Sequence, residues 1–519
     1  MTLSTNPNDP LFTSQWYLHN VGQTDGTVGQ DANVLDAWNL ATGKGVVIGI
    51  VDDGLQYSHP DLSPNYRSDL SYDFTDYDSS PYPRLGSSGS YLWDTEDAHG
   101  TAVAGVAAGK GNNSLGITGA APDASLVGLR LNYESDFTIA DALSHQNKWI
   151  DIYNCSWGYR EEFTPLGALT ARALEDGVNN GRDGLGSIYV FSAGNNAREG
   201  GNVDHNSLAN SRHTIAVGAI DHNGNKSVYS NPGASLLISG YSNAGSSSWY
   251  TTDNTGIVTT DLYGDYGYNT DDDFDVLAAN YTEDFGGTSA AAPLVSGVIA
   301  LMLETNPDLT HRDVQHILVE TAAKNDPDDL DWEVNGAGYY INHKYGFGAI
   351  DATAAVELAA DWETVAPEIA IASDEIAVQR YIPDDVSYSA DFLSSVIDIN
   401  TDLNIEWVEV RFNAVHSYRG DLDLILESPD GTTSVLLEKN FDNSEDYSSW
   451  TFTSARHWGE SAAGEWTLTV EDGFRYDTGY WNSWELNIYG TSNDAIDLFQ
   501  DTSIGEVNSL DAIGSSELI

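Results

Sequence analysis

The sequence predicts an α/β fold, a parallel sheet flanked by helices, followed by a separate all-β sandwich. Three observations carry that prediction. Through the first two-thirds of the chain, short apolar runs that stop at Gly or Asn alternate with helical stretches. After about Asp361 the pattern changes to strict period-two alternation. The chain has 519 residues, which is long for a single hydrophobic core, so two or three domains are expected.

The elements follow in order. "GVVIGIVDDG" (residues 45–54) is a continuous apolar run closing on turn residues, as a strand buried on both faces reads. "HGTAVAGVAAG" (99–109) reads as a helix, "DIYNCSWG" and "GSIYVFSAGNN" as further buried strands, and "SAAAPLVSGVIALMLE" as a second helix. Alternation of this kind argues for a parallel sheet covered on both sides, with ligands beyond the carboxyl ends of the strands. In the later part Val408, Val410 and Phe412 fall on one face with Glu409 and Arg411 on the other, and Trp466, Leu468 and Val470 alternate with Glu465, Thr467 and Thr469. "PDG" at 429–431 is a turn between two such runs. The expected organisation is therefore 1–361, an α/β domain; 362–491, an antiparallel sandwich; and 492–519, an acidic, weakly patterned tail.

Composition narrows the function. Hydrophobic residues make up 41% and aromatics 11%, which is ordinary globular material. The formal net charge of −58, from 21 Lys+Arg against 79 Asp+Glu, repels nucleic acid and anionic membrane while favouring cations and basic substrates. The single cysteine, Cys155, excludes an intramolecular disulfide. No run reaches the ~20 apolar residues of a membrane span, and "MTLSTNPNDPLF" lacks the basic and apolar regions of a secretory signal.

Three element ends supply three complementary residue types. Asp52 closes a buried strand, and His99 and Ser289 each open a helix. A serine hydroxyl is a poor nucleophile unless a base takes its proton, and the base needs a carboxylate to hold its tautomer. Asn195 in "SAGNN", at another strand end, could donate to an oxyanion beside the Ser289 N–H. Taken singly, each has an ordinary structural reading as a cap, a turn residue or a core histidine.

The local contexts "VIGIVDDG", "HGTAVAGVAAG", "SWG", "SAGN" and "GGTSAAAP", in this order, resemble the subtilisin-like serine protease superfamily, whose triad order is a standard worked case. "NDPLFTSQWYLHNVGQ", "IVDDGLQYSHPDL" and "GIVTTDL" are similar to its kexin and furin branch. "SYRGDLDLILESPDGTTSVLL" and "AAGEWTLTVED" are similar to the jelly-roll-like P domain of that branch, and the bacterial calcium-dependent proteases, notably the cyanobacterial ones, resemble the chain most. The resemblance implies a calcium-dependent serine endopeptidase with Asp52, His99 and Ser289 as triad and Asn195 in the oxyanion hole. It also implies that Ser156, Trp157 and Gly158 pair with substrate backbone. Polypeptides are the expected substrates and a propeptide or inhibitor the expected partner, with no nucleic acid and no membrane span. A monomer is expected, secreted or periplasmic. The sandwich should support the catalytic domain, so that residues after about Pro367 are needed for soluble activity.

Specificity and metal binding follow from the same resemblance. Asp53 and Glu96 match the family's acids for a basic P2 side chain, and Glu161 falls at a P1 acid. The second P1 acid reads Asn206 here, with Asp204 and His205 beside it. Basic P1 and P2 residues are therefore expected, with a broad subtilisin-type specificity or a catalytically silent binding protein as alternatives. One calcium site is expected from Asp9, Asp61 and Asn113 with carbonyls near Leu115 and Ile117, and another from Asp73 and Asp78. A third family site reads Gly201 and Asn231 here and is expected to be absent or rebuilt. The acidic insertion 263–284 reads as a solvated excursion, with an extra calcium loop or a lid near Ser289 as alternatives, Cys155 as a small buried residue, and "RGD" at Arg419 as a turn opening a strand.

Overall fold

The computed structural model describes residues 7–85, 97–133, 135–245, 255–264, 266–268, 280–384, 392–440 and 442–492. Seven strands form its central sheet: β1 (Val47–Asp52), β2 (Tyr72–Asp73), β3 (Ser125–Arg130), β4 (Ile152–Cys155), β5 (Ile188–Ser192), β6 (Thr214–Ile220) and β7 (Leu236–Tyr241). All pairings are parallel, in the order β2-β3-β1-β4-β5-β6-β7. Every residue of β1, β4 and β5 is buried, which explains their unbroken apolar runs. Because strand order reverses beside β1, its carboxyl end opens a crevice, and Asp52 stands there.

The helices are α1 (Val34–Ala37), α2 (His99–Ala108), α3 (Asp136–Ser144), α4 (Ala168–Gly184), α5 (Thr288–Thr305), α6 (His311–Thr321) and α7 (Ala352–Ala360). Helix α5 is long and apolar enough to cross a bilayer, yet it lies in the core against β4 to β7, α2 and α7. Its small residues permit that burial. A Cβ on Gly297 would stand 2.5 Å from Ala120 Cβ and 2.9 Å from the Ala107 carbonyl oxygen. An antiparallel pair, β8 (Ile257–Thr260) and β9 (Tyr281–Phe285), precedes α5, and a short pair, β10 (Glu333–Val334) and β11 (Tyr340–Ile341), follows α6. Of the acidic insertion, residues 265 and 269–279 fall outside the described residues.

The second unit is an antiparallel sandwich. Its strands are β12 (Ile369–Ala372), β13 (Ile376–Ile382), β14 (Phe392–Ile399), β15 (Asn404–His416), β16 (Leu422–Glu427), β17 (Thr433–Leu437), β18 (Tyr447–Ser454), β19 (Gly464–Asp472) and β20 (Gly479–Thr491). One sheet runs β12-β20-β15-β18 with β13 also on β20, and the other runs β14-β19-β16-β17. Val408, Val410 and Phe412 face the same core as Trp466, Leu468 and Val470, so period two marks the inner faces. "RGD" forms a single tight turn, Arg419–Asp421, ahead of β16, with Gly420 buried. The tail beyond Ser492 lies outside the described residues.

The two units share side chains. Trp407, Ala455 and Trp458 of the sandwich join the α/β core, while Phe163 and Ala234 join the sandwich core. At their boundary Arg312 of α6 grips Glu406 of β15 with Nε to Oε2 at 2.8 Å and Nη2 to Oε1, and His316 Nε2 meets Oε1 at 2.9 Å. Burial works against the Glu406 charge, but hydrogen bonds from His316 and Arg312 hold its carboxyl down at about 2. The Trp407 indole N–H donates to Gln315 Oε1 at 3.1 Å, and Asn210 bonds the backbone of Thr451 and Thr453 at 2.7 and 2.8 Å.

Candidate active site

Asp52 ends β1 and accepts through Oδ1 from His99 Nδ1 at 2.8 Å, from the Asp53 N–H at 2.9 Å and from the Tyr133 hydroxyl at 3.4 Å. Its Oδ2 is buried without a hydrogen-bond partner. His99 is the first residue of α2, and its ring meets Phe285 edge-on at 5.6 Å, four residues ahead of Ser289. Burial opposes a charge on His99, but the Asp52 carboxylate, its hydrogen bond and the Asp53 charge together lift the imidazole to about 9.

Asp53 works from a distance as the cap of α2. Its Oδ2 accepts from the His99 N–H at 3.2 Å and its Oδ1 from the Gly100 N–H at 2.8 Å, while the residue in the N-cap position, Ala98, has no side-chain acceptor. Burial and the neighbouring Asp52 charge push its carboxyl up to about 7. Glycine is required at position 100, because a Cβ there would stand 2.2 Å from the Gly54 carbonyl oxygen and 2.9 Å from Asp52 Cβ. Glu96 lies outside the described residues.

Ser289 is the second residue of α5, where the N–H has no intrahelical acceptor. Pro293 explains the neighbourhood. It has no N–H to give to the Ser289 carbonyl one turn earlier, and that carbonyl accepts from the Ser156 hydroxyl at 3.0 Å instead. The Ser289 hydroxyl in turn donates to the Ser156 carbonyl at 3.2 Å. Asn154 and Ser296 complete this lock, with Asn154 Nδ2 on Ser156 Oγ at 3.1 Å and Ser296 Oγ on Asn154 Oδ1 at 2.9 Å. Asn195 Oδ1 accepts from the Thr288 N–H at 2.8 Å and its hydroxyl at 3.0 Å, which assigns the amide orientation and leaves Nδ2 as the outward donor. Gly287, at φ +75°, lets the chain turn into the helix directly beneath that amide.

Ser156, Trp157 and Gly158 continue β4 beyond the sheet, and the Trp157 indole anchors the segment to the Val51 carbonyl at 2.8 Å. Next to it opens a cleft of about 280 Å³. Its wall includes Glu162, His205, Asn206 and Arg160. Glu161 points to solvent, and the neighbouring Glu162 is the acid in the wall, accepting from Asn196 Nδ2 at 2.6 Å and meeting His205 Nδ1 at 3.1 Å. Asn206 packs on Gly158 and donates to the Tyr159 carbonyl at 3.4 Å. Asp204 is fully buried away from the cleft. Its carboxylate, pushed up to about 7 by burial, ties down the N–H groups of Ala234 and Ser235 at 2.8 and 3.0 Å. Asn231 pairs with Asn196, its Nδ2 donating to Oδ1 at 2.7 Å, and a Cβ on Gly201 would collide with Asn196.

The expected metal ligands separate into two cases. Asp9, Asp61 and Asn113 converge: Asp9 accepts from the Asn112 and Asn113 N–H groups at 2.7 and 3.0 Å, and Asp61 from Asn113 Nδ2 at 2.7 Å, the Ile117 N–H at 3.0 Å and the Tyr281 hydroxyl at 2.8 Å. Burial, then the Asp61 charge, raise the Asp9 carboxyl. Two buried carboxylates opposed across one loop are oxygen groups of the kind calcium takes, while the Asn113 amide between them turns Nδ2 to Asp61 and Oδ1 to the Leu115 N–H at 2.8 Å. Asp73 and Asp78 pair through their backbones, each N–H on the other's carbonyl at 2.8 and 3.2 Å, but their carboxylates take different partners. The Arg130 guanidinium takes Asp73 at 2.7 Å, Asp76 at 3.1 Å and Asp97 at 3.0 Å, whereas Asp78 turns to the Ser80 N–H at 2.7 Å. A side-chain cation thus pairs with Asp73, one of the two carboxylates that the family resemblance suggested for a metal. Among the described residues no group of three or more His, Cys, Asp or Glu is disposed to hold a metal.

Sequence reading passed over Tyr133, Glu162 and Arg130. The "REE" segment holds both acids, and the family resemblance points to the first, Glu161, at P1. Cys155 is buried and its thiol pushed well up by burial, which suits its structural reading.

Comparison with known proteins bears on all of this. The Subtilase family profile matches residues 43–348, and the Proprotein convertase P-domain profile matches 405–488. Neuroendocrine convertase 2 of Rattus norvegicus is 38% identical over 510 residues, covering 95% of this chain and 75% of its own. Proprotein convertase subtilisin/kexin type 6 of the same species is 38% identical over 502 residues, 93% of this chain and 50% of its own. The serine protease of Aeromonas sobria, solved in complex with a chaperone, superposes with a TM-score of 0.83 at 27% identity over 94% of this chain and 96% of its own. With both profiles matched in sequence and the relatives reaching across nearly the whole chain, this protein belongs to the subtilase family, as a serine endopeptidase of the kexin/furin branch that carries a P domain.

Proposed function

We propose that the protein cleaves polypeptides after basic residues, with Ser289 as nucleophile, His99 as general base, Asp52 as the orienting carboxylate and Asn195 as oxyanion donor. The observations that carry this reading are the 2.8 Å Asp52–His99 bond, a serine held at a helix N-terminus and the Asn195 amide oriented by Thr288. Rotation about the Ser289 Cα–Cβ bond turns the hydroxyl from the Ser156 carbonyl toward His99 Nε2. The hydroxyl oxygen then attacks the scissile carbonyl as His99 takes its proton, and Asp52 stabilises the imidazolium. Asn195 Nδ2 and the Ser289 N–H receive the oxyanion. His99 returns the proton to the leaving amine, the C–N bond breaks, and water releases the acyl group by the same steps. Substrate backbone lies along Ser156, Trp157 and Gly158.

A basic P1 side chain fits the cleft beside Glu162, whose carboxylate favours a cation. A basic P2 side chain fits the acidic surroundings of Asp53. Calcium bound by Asp9, Asp61 and Asn113 would cross-link the N-terminal segment to the loop after α2 and supply stability rather than chemistry.

The test is hydrolysis of peptides with Arg-Arg, Ala-Arg or Ala-Phe before the scissile bond, with calcium and then with chelator, and with Ser289→Ala as blank. Cleavage confined to Arg, with a melting temperature that falls on chelation and recovers with calcium, supports the reading. Equal cleavage of the Phe peptide means a broad subtilisin, and an unmoved melting temperature removes the calcium site.

A further inference from the structure

Inside the cleft wall stands a group that no acid-pocket reading requires. His205 is 1% exposed, donates or shares Nδ1 with Glu162 Oε2 at 3.1 Å, and keeps Nε2 buried without a hydrogen-bond partner. We propose that His205 sets the charge of the P1 cleft: neutral, it leaves Glu162 to a cationic side chain, and protonated, it satisfies Glu162 internally and turns the cleft against cations. The inference rests on the basic-P1 reading above and deepens it.

Geometry supports the pairing. When Nδ1–H faces the carboxylate, Nε2 is the free acceptor, so one added proton converts a hydrogen bond into an ion pair without moving either residue. Glu162 already gives Oε1 to Asn196, so the His205 proton competes with substrate for the remaining capacity of one carboxylate. From the sandwich, Tyr447 faces Glu162 and the Arg419 guanidinium lies over the Phe163 ring. Arg160 also lines the cleft, Asp204 adjoins His205 in the same tight turn but gives its carboxylate to Ala234 and Ser235, and Asn202, Asn206 and Asn231 are neutral.

The sandwich holds the pair in place. The Phe163 ring stands 4.3 Å from His205, between it and the Arg419 guanidinium at 4.3 Å, and it meets Tyr447 at 5.3 Å and Trp450 at 5.2 Å. The Phe163 N–H donates to the His205 carbonyl at 2.8 Å, and the Trp450 indole N–H to the Asp204 carbonyl at 3.1 Å. His205 therefore lacks room to swing away from Glu162 on protonation, and the change is electrostatic.

The experiment compares kcat/KM for two peptides that differ only at P1, Arg against its neutral isostere citrulline, from about pH 5 to about pH 9. Dividing one by the other cancels the titration of His99 and Asp53, which both peptides meet equally. In the unsubstituted protein the Arg/citrulline ratio should rise roughly tenfold along a single titration, the effect of one charge across the cleft. His205→Gln, which keeps a donor for Glu162, should show the high ratio at every pH, and Glu162→Gln a low, flat one. A ratio well above unity that does not change with pH, or that rises equally in His205→Gln, overturns the role of His205 and leaves the basic-P1 reading standing. A ratio near unity throughout overturns both. A flat curve for the unsubstituted protein overturns the proposal even if a variant does not fold, and His205→Asn takes the place of His205→Gln if that variant fails.

Discussion

Glu406 is the point at which the coupling between the α/β unit and the sandwich becomes measurable. Its side chain is 2% exposed, and it binds Arg312 through two oxygens and His316 through one, so Glu406→Ala strands a buried guanidinium and an imidazole at the domain boundary. Breaking a buried ion pair from one side typically costs about 3–5 kcal/mol. A second route gives a similar figure. The fall of the carboxyl from 4.5 to about 2 corresponds, at about 1.4 kcal/mol per pH unit, to about 3 kcal/mol of folded-state stabilisation. Because the folded pKa is depressed, that contribution is fully present above 4.5 and disappears as the pH falls through about 2. Denaturant unfolding followed by tryptophan fluorescence measures it, since Trp407 and Trp458 both touch α6. At neutral pH the Ala variant should lose about 3 kcal/mol, and the loss should shrink steadily as both proteins are acidified. A loss below about 1 kcal/mol, or one that persists undiminished in acid, would refute the reasoning.

Two further outcomes follow from the site. Asp53→Asn removes one of the two charges that raise His99, which must be neutral to act as base. The acid limb of kcat/KM on a peptide with uncharged P2 should then move down by about one pH unit, and an unmoved limb would assign the whole effect to Asp52. Asn195→Ala should lower kcat about 10²- to 10³-fold with little change in KM, the mark of a donor used only in the transition state; a change in KM alone would place Asn195 in ground-state binding instead.

Much of the fold was legible because its causes are local. Strands buried on both faces read as unbroken apolar runs, the sandwich reads as period two, and a proline set at the sixth position of α5 marks where a helix carbonyl is freed for another use. Asp52, His99, Ser289 and Asn195 stand out because each sits at an element end, and a parallel sheet gathers its carboxyl ends on one side. Charges were harder to assign. Whether Glu161 or Glu162 faces the cleft depends on how one loop turns after β4, and adjacent residues cannot be told apart by type. Asp204 looks like a pocket acid by position, and its burial against Ala234 and Ser235 is decided by a segment 30 residues away. Arg130 reaches Asp73 only because β3 lies between β2 and β1 in the sheet. The Glu406–Arg312 pair joins residues 94 apart across two domains. Sequence alone determined which residues could do chemistry, through periodicity and terminal position. Which of the many carboxylates faces the cleft, a neighbouring loop, a helix end or an arginine was decided by the tertiary structure, because Coulomb and hydrogen-bond energies depend on distances that only the packed chain sets.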